Sequence, residues 1–175
     1  MNTTQINKAT VKDLYILQKI SITTFTETFA AVNKPQNIDS YVKDHLNTTQ
    51  LTKELLNPQS NFFLAFYGNQ LVGYLKLNTG HAQTEAQDEQ ALEIQRIYVL
   101  KCFQGQKIGQ QLLNAALEIA YKKKASYIWL GVWEENHKAI NFYQKNGFVT
   151  FDKHLFLMGQ EQQTDLLMQL KINLL

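Results

Sequence analysis

The sequence predicts a mixed α/β (α+β) fold, in which one mostly antiparallel sheet holds a central parallel βαβ unit and is flanked by helices. The unit is predicted because an apolar strand pattern, Leu92 to Val99, leads through a glycine loop into a helix and then into a second strand, Tyr127 to Val132. Strands joined in this way lie parallel. Hairpin patterns before and after the unit add the antiparallel strands. With 175 residues and 45% hydrophobic content, we expect one domain covering residues 1–175.

The N-terminal third predicts one strand followed by three helices. Thr10 and Asp13 form a capping-box-like start for the first helix, whose apolar spacing continues towards Phe29. Asn57 and Pro58 end the third helix. The predicted elements are a strand near Gln5 to Lys8 and helices towards Phe29, from Ile38 to Leu46 and from Thr48 to Leu56.

Two β-hairpins are predicted on either side of the βαβ unit. The first joins Asn61–Tyr67 to Leu71–Leu77 through Gly68-Asn69-Gln70, and the second joins Phe148–Met158 to Thr164–Ile172 around residues 159–163. Gly147 fits the end of the preceding helix. A long polar loop after the first hairpin carries Glu85, Asp88 and Glu89, and its length is typical of a binding loop or of a mobile one.

The loop within the βαβ unit is a candidate anion site. A helix start exposes N–H groups without intrahelical acceptors and carries partial positive charge, so phosphates bind there. Gly105 and Gly109 allow close backbone approach, and Lys107 adds a cation. The alternative is that the glycines only mark a turn. The spacing matches neither a Walker A loop nor the GxGxxG fingerprint.

Two motifs resemble those of the GCN5-related N-acetyltransferase (GNAT) family. The family's acetyl-CoA loop, Q/R-x-x-G-x-G/A, is matched by residues 104–109, with Lys107 where the family usually has its first glycine. Its N-x-x-A-x-x-F-Y-x-x-x-G-F run is matched by Asn136, Ala139, Phe142, Tyr143, Gly147 and Phe148. Within the family, the segments FTETF, WLGVWE and MGQEQQTDLLM look most like PaiA-type spermidine/spermine N-acetyltransferases. The resemblance implies the GNAT fold.

The resemblance also implies acetyl-CoA as cosubstrate. The main-chain N–H groups of the loop are expected to bind its pyrophosphate, and the end of the fourth strand its pantetheine arm. Asn136 is either a helix cap alone or also a polar contact to the cofactor, and Lys145 is either a phosphate ligand or a solvated lysine. The implied cofactor-binding residues are Ile97, Tyr98, Val99, Gln104, Gly105, Gln106, Lys107, Ile108, Gly109, Gln110, Asn136, Tyr143 and Lys145.

Acetyl transfer to an amine needs a base and is helped by an acid. An alkyl ammonium has a pKa of about 10.4, so only roughly one molecule in a few thousand is neutral at pH 7. By resemblance, Glu93 is the base, with Glu27 as the second candidate, and Tyr143 protonates the departing thiolate. The structural alternatives are an outward-facing Glu93 and core aromatic residues at 142 and 143. Because adjacent helix positions point about 100° apart, we expect Phe142 in the core and Tyr143 at the thioester.

The resemblance favours a polyamine such as spermidine or spermine as acceptor. Glu27, Asp39 and Asp44 are candidates for binding its cations, although solvated helix carboxylates explain each equally well. One alternative is acetylation of a protein N-terminus or lysine, since a fold does not specify its substrate. Another is a regulator that senses acetyl-CoA without catalysis.

Composition excludes several other classes. The net charge of +2 is too small for a nucleic-acid-binding protein, and Lys122 to Lys124 suit a helix C-terminus. The four histidines and Cys102 show no zinc spacing and no nucleophile motif, so we expect no metal. The sequence lacks an apolar leader or membrane span, which predicts a cytoplasmic protein without membrane partners. Both a monomer and a homodimer remain open.

Overall fold

The strands and helices occur in the order that the sequence predicts. The computed structural model describes residues 4–85, 87–158 and 161–173. The strands are β1 (Thr4–Lys8), β2 (Ser60–Tyr67), β3 (Gln70–Thr79), β4 (Leu92–Val99), β5 (Tyr127–Trp133), β6 (Val149–Met158) and β7 (Glu161–Lys171). The α-helices are α1 (Leu14–Phe29), α2 (Pro35–His45), α3 (Thr48–Leu56), α4 (Ile108–Lys122) and α5 (His137–Lys145), and short 3-10 turns lie at Val11–Asp13, Gly80–Ala82 and Lys101–Phe103.

The seven strands form one mixed sheet in the order β1-β2-β3-β4-β5-β7-β6. Neighbouring strands pair antiparallel except β4 and β5, which pair parallel. The parallel pairing covers Leu92 with Ile128 and Glu93 with Trp129, after which the two strands separate. The predicted fold class is therefore confirmed, and its one parallel junction opens a gap in the middle of the sheet.

Local signals explain where the helices begin. The Asp13 carboxylate accepts a hydrogen bond from the Thr10 N–H at 2.8 Å, which supports the predicted cap before α1. Asn47 Oδ1 accepts from the Gln50 N–H at 2.8 Å, and α3 has the predicted bounds. Helix α2 begins at Pro35 rather than at the predicted Ile38, because proline needs no N–H partner in a first turn.

The sheet is covered on both faces, so the molecule has three layers. Successive residues of a strand point to opposite faces. On β3, Leu75 belongs to the main core, which α4 and α5 cover, and Tyr74 belongs to a second core with Leu17 of α1 and Leu51 of α3. The sheet is therefore held between two helical layers, and the gap between β4 and β5 lies between them.

The chain ends in the β6–β7 hairpin, with β7 inserted beside β5. Gly147 ends α5 with φ +87°, a conformation that favours glycine, as predicted. Of the predicted turn around residues 159–163, Gly159 and Gln160 lie outside the described residues. Within the described part of the chain, no helix is both long and apolar enough to cross a membrane.

Candidate active site

A cavity of about 860 Å³ occupies the gap between β4 and β5. Ligand pockets in proteins have volumes of roughly 300–1,000 Å³, so this cavity can hold a ligand of cofactor size. Its walls come from α1, α2, β4, the loop before α4, β5, α5 and the β6–β7 hairpin. Thr84 and Glu85 of the long polar loop also line it, whereas Ala86 lies outside the described residues.

The loop before α4 has the conformation that an anion site needs. Gly105 has φ +83°, and Lys107 precedes the helix with φ +62°. A Cβ on Gly105 or Gly109 would meet no atom within 4 Å, so both glycines border open space in the cavity wall. The first N–H groups of α4 have no intrahelical acceptor and are available to a phosphate.

The positive φ of Lys107 explains why the family motif usually has a glycine at this position. A non-glycine residue in this region costs about 1–2 kcal/mol, which glycine avoids. We expect Lys107→Gly to raise the free energy of unfolding by up to about 1 kcal/mol, because the gain is partly offset by the flexibility of glycine in the unfolded chain. The loss of an exposed cation should weaken acetyl-CoA binding by about threefold.

Urea unfolding and calorimetric titration with acetyl-CoA measure the two effects separately. Lys107→Ala is the matched control, because it removes the same cation and keeps a Cβ at the positive φ. Equal stability of the two variants would contradict the strain, and unchanged acetyl-CoA affinity in both would contradict a role for the cation.

Side chains from α5 hold the loop in place. Lys138 Nζ donates to Gln104 Oε1 at 2.6 Å, and Gln104 Nε2 donates to the Val99 carbonyl at 3.2 Å. Gln110 Nε2 donates to Asn146 Oδ1 at 2.7 Å. Lys138 therefore brings a cation to the cavity wall, which sequence reasoning missed; its place two residues after Asn136, at the start of a helix near the loop, was the available signal.

Most of the predicted cofactor-binding residues share this cavity. Those that line it are Ile97, Tyr98, Val99, Gln104, Gly105, Lys107, Ile108, Gly109, Gln110, Asn136 and Tyr143. Asn136 also caps α5, since its Oδ1 accepts from the Ala139 N–H at 3.2 Å. Gln106 and Lys145 are exposed and do not belong to the cavity lining.

Glu93 lies in the cavity wall with 2% of its surface exposed. Asn78 Nδ2 donates to its Oε2 at 2.9 Å, the Thr84 N–H donates to the same atom at 3.0 Å, and the Thr84 hydroxyl donates to Oε1. Burial raises the pKa of Glu93 above its usual value, although these hydrogen bonds and the charge of Lys76 act in the opposite direction. The outward-facing alternative for Glu93 is therefore wrong.

Tyr143 lines the cavity from α5 with 7% of its surface exposed. Its hydroxyl makes no hydrogen bond to any described residue, and burial raises its pKa well above that of free tyrosine. Phe142 packs against the main core and Tyr143 lines the cavity, as expected, and the position of Tyr143 at a thioester stays a prediction; the two residues are not, however, separated between core and cavity. Phe142 is half-buried and also lines the cavity, while Tyr143 packs in the main core against Phe148, because α5 lies between the core and the cavity.

Aromatic side chains form one wall of the cavity, called here the aromatic wall. The Phe25 and Tyr41 rings stack at a centroid distance of 4.1 Å, Phe25 and Phe29 lie 4.8 Å apart, and Phe29 lies 6.4 Å from Trp133. These side chains come from α1, α2 and β5. The aromatic wall therefore gives the cavity a large apolar surface, and the carboxylates described next line the same cavity.

Among the described residues, four carboxylates line the cavity, and three of them have partners. Glu27 accepts from the Lys101 N–H at 2.8 Å, and Glu85 Oε1 lies 2.8 Å from His154 Nδ1. Glu93 is held as described above. The fourth, Asp165, was missed in the sequence because it is one polar residue in a strand pattern. Asp39 and Asp44 are exposed on α2 and do not line the cavity.

A buried ion cluster lies behind the aromatic wall. Glu54 Oε2 is 2.8 Å from Lys76 Nζ and 3.2 Å from Arg96 Nη1, which itself lines the cavity. Burial would raise the pKa of Glu54, but the two cations lower it below its usual value. Burial and the neighbouring Arg96 lower the pKa of Lys76 to about 8. Sequence reasoning missed this cluster, because its members are far apart along the chain.

A strand-splayed cavity with a helix-start anion loop at one end and a buried carboxylate and tyrosine in its walls is typical of CoA-dependent acyltransferases. The profile of the Acetyltransferase (GNAT) family matches residues 22–148. The chain therefore belongs to the GNAT family, and it is an acetyl-CoA-dependent N-acetyltransferase. No group of His, Cys, Asp and Glu within the described residues could hold a metal ion.

Relatives with similar sequences support this assignment. The chain is 37% identical over 169 residues to an uncharacterized N-acetyltransferase in the pepI 3′ region of Lactobacillus delbrueckii subsp. lactis, which covers 97% of this chain and 98% of the relative. It is 27% identical over 152 residues to the spermidine N(1)-acetyltransferase of Thermoplasma acidophilum, covering 85% and 89% of the two chains.

A solved structure is similar over nearly the whole chain. It is the crystal structure of the PaiA N-acetyltransferase from Thermoplasma acidophilum in complex with coenzyme A. The two structures align with a TM-score of 0.81 and 25% sequence identity, covering 97% of this chain and 99% of the other. The chain is therefore a PaiA-like member of the family.

Proposed function

We propose that the protein transfers the acetyl group of acetyl-CoA to a primary amine of a polyamine such as spermidine or spermine. The observation that carries the proposal is the group of three carboxylates that line the cavity beyond the loop, where the cation Arg96 is already paired with Glu54. Lys101, Lys107 and Lys138 lie at the loop, where the phosphates of a CoA would bind. Glu85, Glu93 and Asp165 line the other part of the same cavity, so that part suits a cationic acceptor.

The similar relatives support the same acceptor class. The Thermoplasma acidophilum relative is named as a spermidine N(1)-acetyltransferase, and the similarity covers 85% of this chain and 89% of the relative. Glu27, predicted as an acceptor ligand or a second base, instead has its Oε2 on the Lys101 N–H. The proposed acceptor site therefore relies on the carboxylates of β4, β7 and the long loop.

The cofactor half of the proposal depends on main-chain groups. The loop Gln104–Gln110 would hold the pyrophosphate through N–H groups at the start of α4. The edge of β4 from Ile97 to Val99 does not pair with β5, and its peptide groups suit the amides of pantetheine, although the Val99 carbonyl already accepts a hydrogen bond from Gln104 Nε2. Lys138 is proposed to turn from Gln104 to a phosphate when the cofactor is bound.

In the proposed reaction, the neutral amine attacks the thioester carbonyl carbon, a C–N bond forms and the C–S bond breaks. Glu93 accepts the proton that the amine loses, directly or through water, and its raised pKa makes it a stronger base than an ordinary carboxylate. Tyr143 donates a proton to the departing sulfur. Burial raises the pKa of Tyr143, which keeps its hydroxyl protonated and able to donate.

Tyr143→Phe should lower kcat at least about tenfold, because a positioned acid typically contributes 10²–10⁴-fold and water can replace part of its effect. The dissociation constant of acetyl-CoA should change little, since the ring and its packing remain. Steady-state kinetics and calorimetric titration measure both quantities. The control is Tyr121→Phe, which removes an exposed hydroxyl on α4 outside the cavity lining. Unaltered turnover would remove Tyr143 from the mechanism.

Thiol release from acetyl-CoA tests the acceptor class. The panel is spermidine, spermine, putrescine, free lysine and an unblocked peptide, each varied in concentration with purified protein. We expect saturable thiol release with a polyamine and no thiol release with the peptide. Release with the peptide alone would support acetylation of a protein N-terminus or lysine. Intact acetyl-CoA binding without thiol release in the presence of any of these amines would support a sensing role and overturn the proposal.

A further inference from the structure

The carboxylate of Asp165 differs from the other three in the cavity wall. It accepts no hydrogen bond from a described residue and forms no ion pair within 4.0 Å, whereas Glu27, Glu85 and Glu93 are each held by a partner. Half-buried carboxylates are costly without a partner. Burial accordingly raises the pKa of Asp165. A cation that enters the cavity would supply the missing partner.

The neighbours of Asp165 form a shaped site for such a cation. Trp133 of β5 is its direct antiparallel partner, so the two side chains lie on the same face of the sheet. A Cβ on Gly131 would lie 3.5 Å from Asp165 Oδ2, and the glycine therefore leaves the carboxylate open on that side. An indole face beside a carboxylate binds an ammonium through charge and through the ring quadrupole.

The groups on the other side of Asp165 leave it available. His154 is its partner on β6 and acts to lower the pKa of Asp165, but His154 Nδ1 lies 2.8 Å from Glu85 and forms its ion pair there. Glu134 follows Trp133 and acts on Asp165 as a second negative charge. The negative charge of this corner is therefore not neutralised by an ion pair to Asp165.

Glu93, the proposed base, and Asp165 are too far apart to contact the same ammonium, so an acceptor that contacts both needs two cationic groups. Glu93 pairs with Trp129 of β5, and Asp165 pairs with Trp133, four residues further along the same strand. At about 3.3 Å per residue, the two positions are separated by about 13 Å along the strand. One ammonium cannot contact both carboxylates. The Phe29 ring lies 6.4 Å from that of Trp133 and offers apolar surface in the cavity wall beside Asp165's strand partner.

We propose that Asp165 and Trp133 form a subsite for the distal ammonium of the acceptor, while the amine that reacts lies near Glu93. This inference rests on the proposed polyamine acceptor and assigns a binding site to its second cationic group. The acceptor is a di- or polyamine whose two cationic groups are joined by a hydrocarbon linker, and the linker packs against the aromatic wall. An alkyl monoamine of the same length packs against the aromatic wall but leaves Asp165 without a partner.

The test compares a polyamine with a matched monoamine. In Asp165→Asn, we expect KM for spermidine to rise about tenfold, which is the size of a partly buried charge contact. The KM for hexylamine and the KM for acetyl-CoA should stay within twofold of wild type, and kcat with saturating spermidine should change little. Trp133→Leu should also raise KM for spermidine more than KM for hexylamine.

Asp152→Asn is the control, because it removes an exposed carboxylate of the same hairpin that does not line the cavity. Circular dichroism and acetyl-CoA binding confirm that each variant is folded. If wild-type protein acetylates spermidine and Asp165→Asn has an unchanged KM for it, or loses affinity for hexylamine equally, the subsite is wrong and the proposed function stands. If wild type acetylates no polyamine, the proposed function itself fails.

Discussion

Replacing Glu93 by glutamine is expected to lower kcat by about 100-fold or more, the usual contribution of a positioned general base. Glutamine has nearly the same shape, but its amide cannot accept the proton that the amine loses. The proposed acetyl-CoA site is the loop and the far end of β4, away from Glu93, so the dissociation constant of acetyl-CoA should stay within about threefold, a difference below 1 kcal/mol. Steady-state thiol release and calorimetric titration measure the two effects.

The pH dependence gives the base a second test. The base must be ionised to work, so activity falls as the pH drops through the pKa of Glu93, which burial raises above its ordinary value. The acidic limb of the pH–rate profile should therefore lie at higher pH than the limb that an ordinary glutamate would give. Thr84→Val removes the hydroxyl that donates to Oε1 and favours the charged form, so it should move this limb to higher pH.

If Glu93 is the source of the acidic limb, Glu93→Gln removes that limb. An acidic limb that persists unchanged in Glu93→Gln, with turnover close to wild type, would assign the base to another group. The absence of any shift in Thr84→Val, with the limb intact, would show that the hydroxyl does not act on the titrating group.

Most of the fold could be predicted from the sequence, because the apolar periodicity of each element agrees with its turns and caps. Helix α3 shows this, since Asn47 at its start and Asn57 at its end are local signals. Helix α2 begins at Pro35, three residues before the predicted start, because proline both breaks a preceding pattern and suits the first turn of a helix. Tertiary packing, not local spacing, put Tyr143 in contact with both the core and the cavity.

The candidate site could be predicted as far as its motifs extend. The loop and Tyr143 belong to short runs whose spacing carries information, and they meet in one cavity. Asp165 and Lys138 become site candidates only when the sheet order is known, because each is one charged residue in an ordinary strand or helix pattern. The strand order inserts β7 beside β5, and this is what brings Asp165 next to Trp133.

The buried ion cluster could not be predicted either, because its members meet only in the folded chain. Its disruption is expected to have the largest effect on stability. Lys76, Glu54 and Arg96 come from β3, α3 and β4, and two cations share one carboxylate. Replacing Glu54 by glutamine leaves both buried cations without their ion-pair partner, and the more distant charge of Glu93 acts on Lys76 without forming an ion pair. Breaking a buried pair in this way costs about 3–5 kcal/mol, and we expect a loss of about 3 kcal/mol in the free energy of unfolding at pH 7.

The loss should depend on pH with a definite sign. The folded pKa of Lys76 is about 8, lowered from 10.5, so the unfolded chain binds more protons between these values and stability rises with pH across that interval. Without Glu54 the pKa of Lys76 falls further, because the carboxylate raises it, and the rise in stability begins at lower pH. Urea unfolding at pH 7 and pH 9 should therefore show a smaller loss for Glu54→Gln at pH 9. Asp39→Asn, an exposed carboxylate on α2, should change stability by less than about 0.5 kcal/mol. A loss below about 1 kcal/mol in Glu54→Gln, or a loss that grows with pH, would contradict the role of this carboxylate as the shared counter-charge.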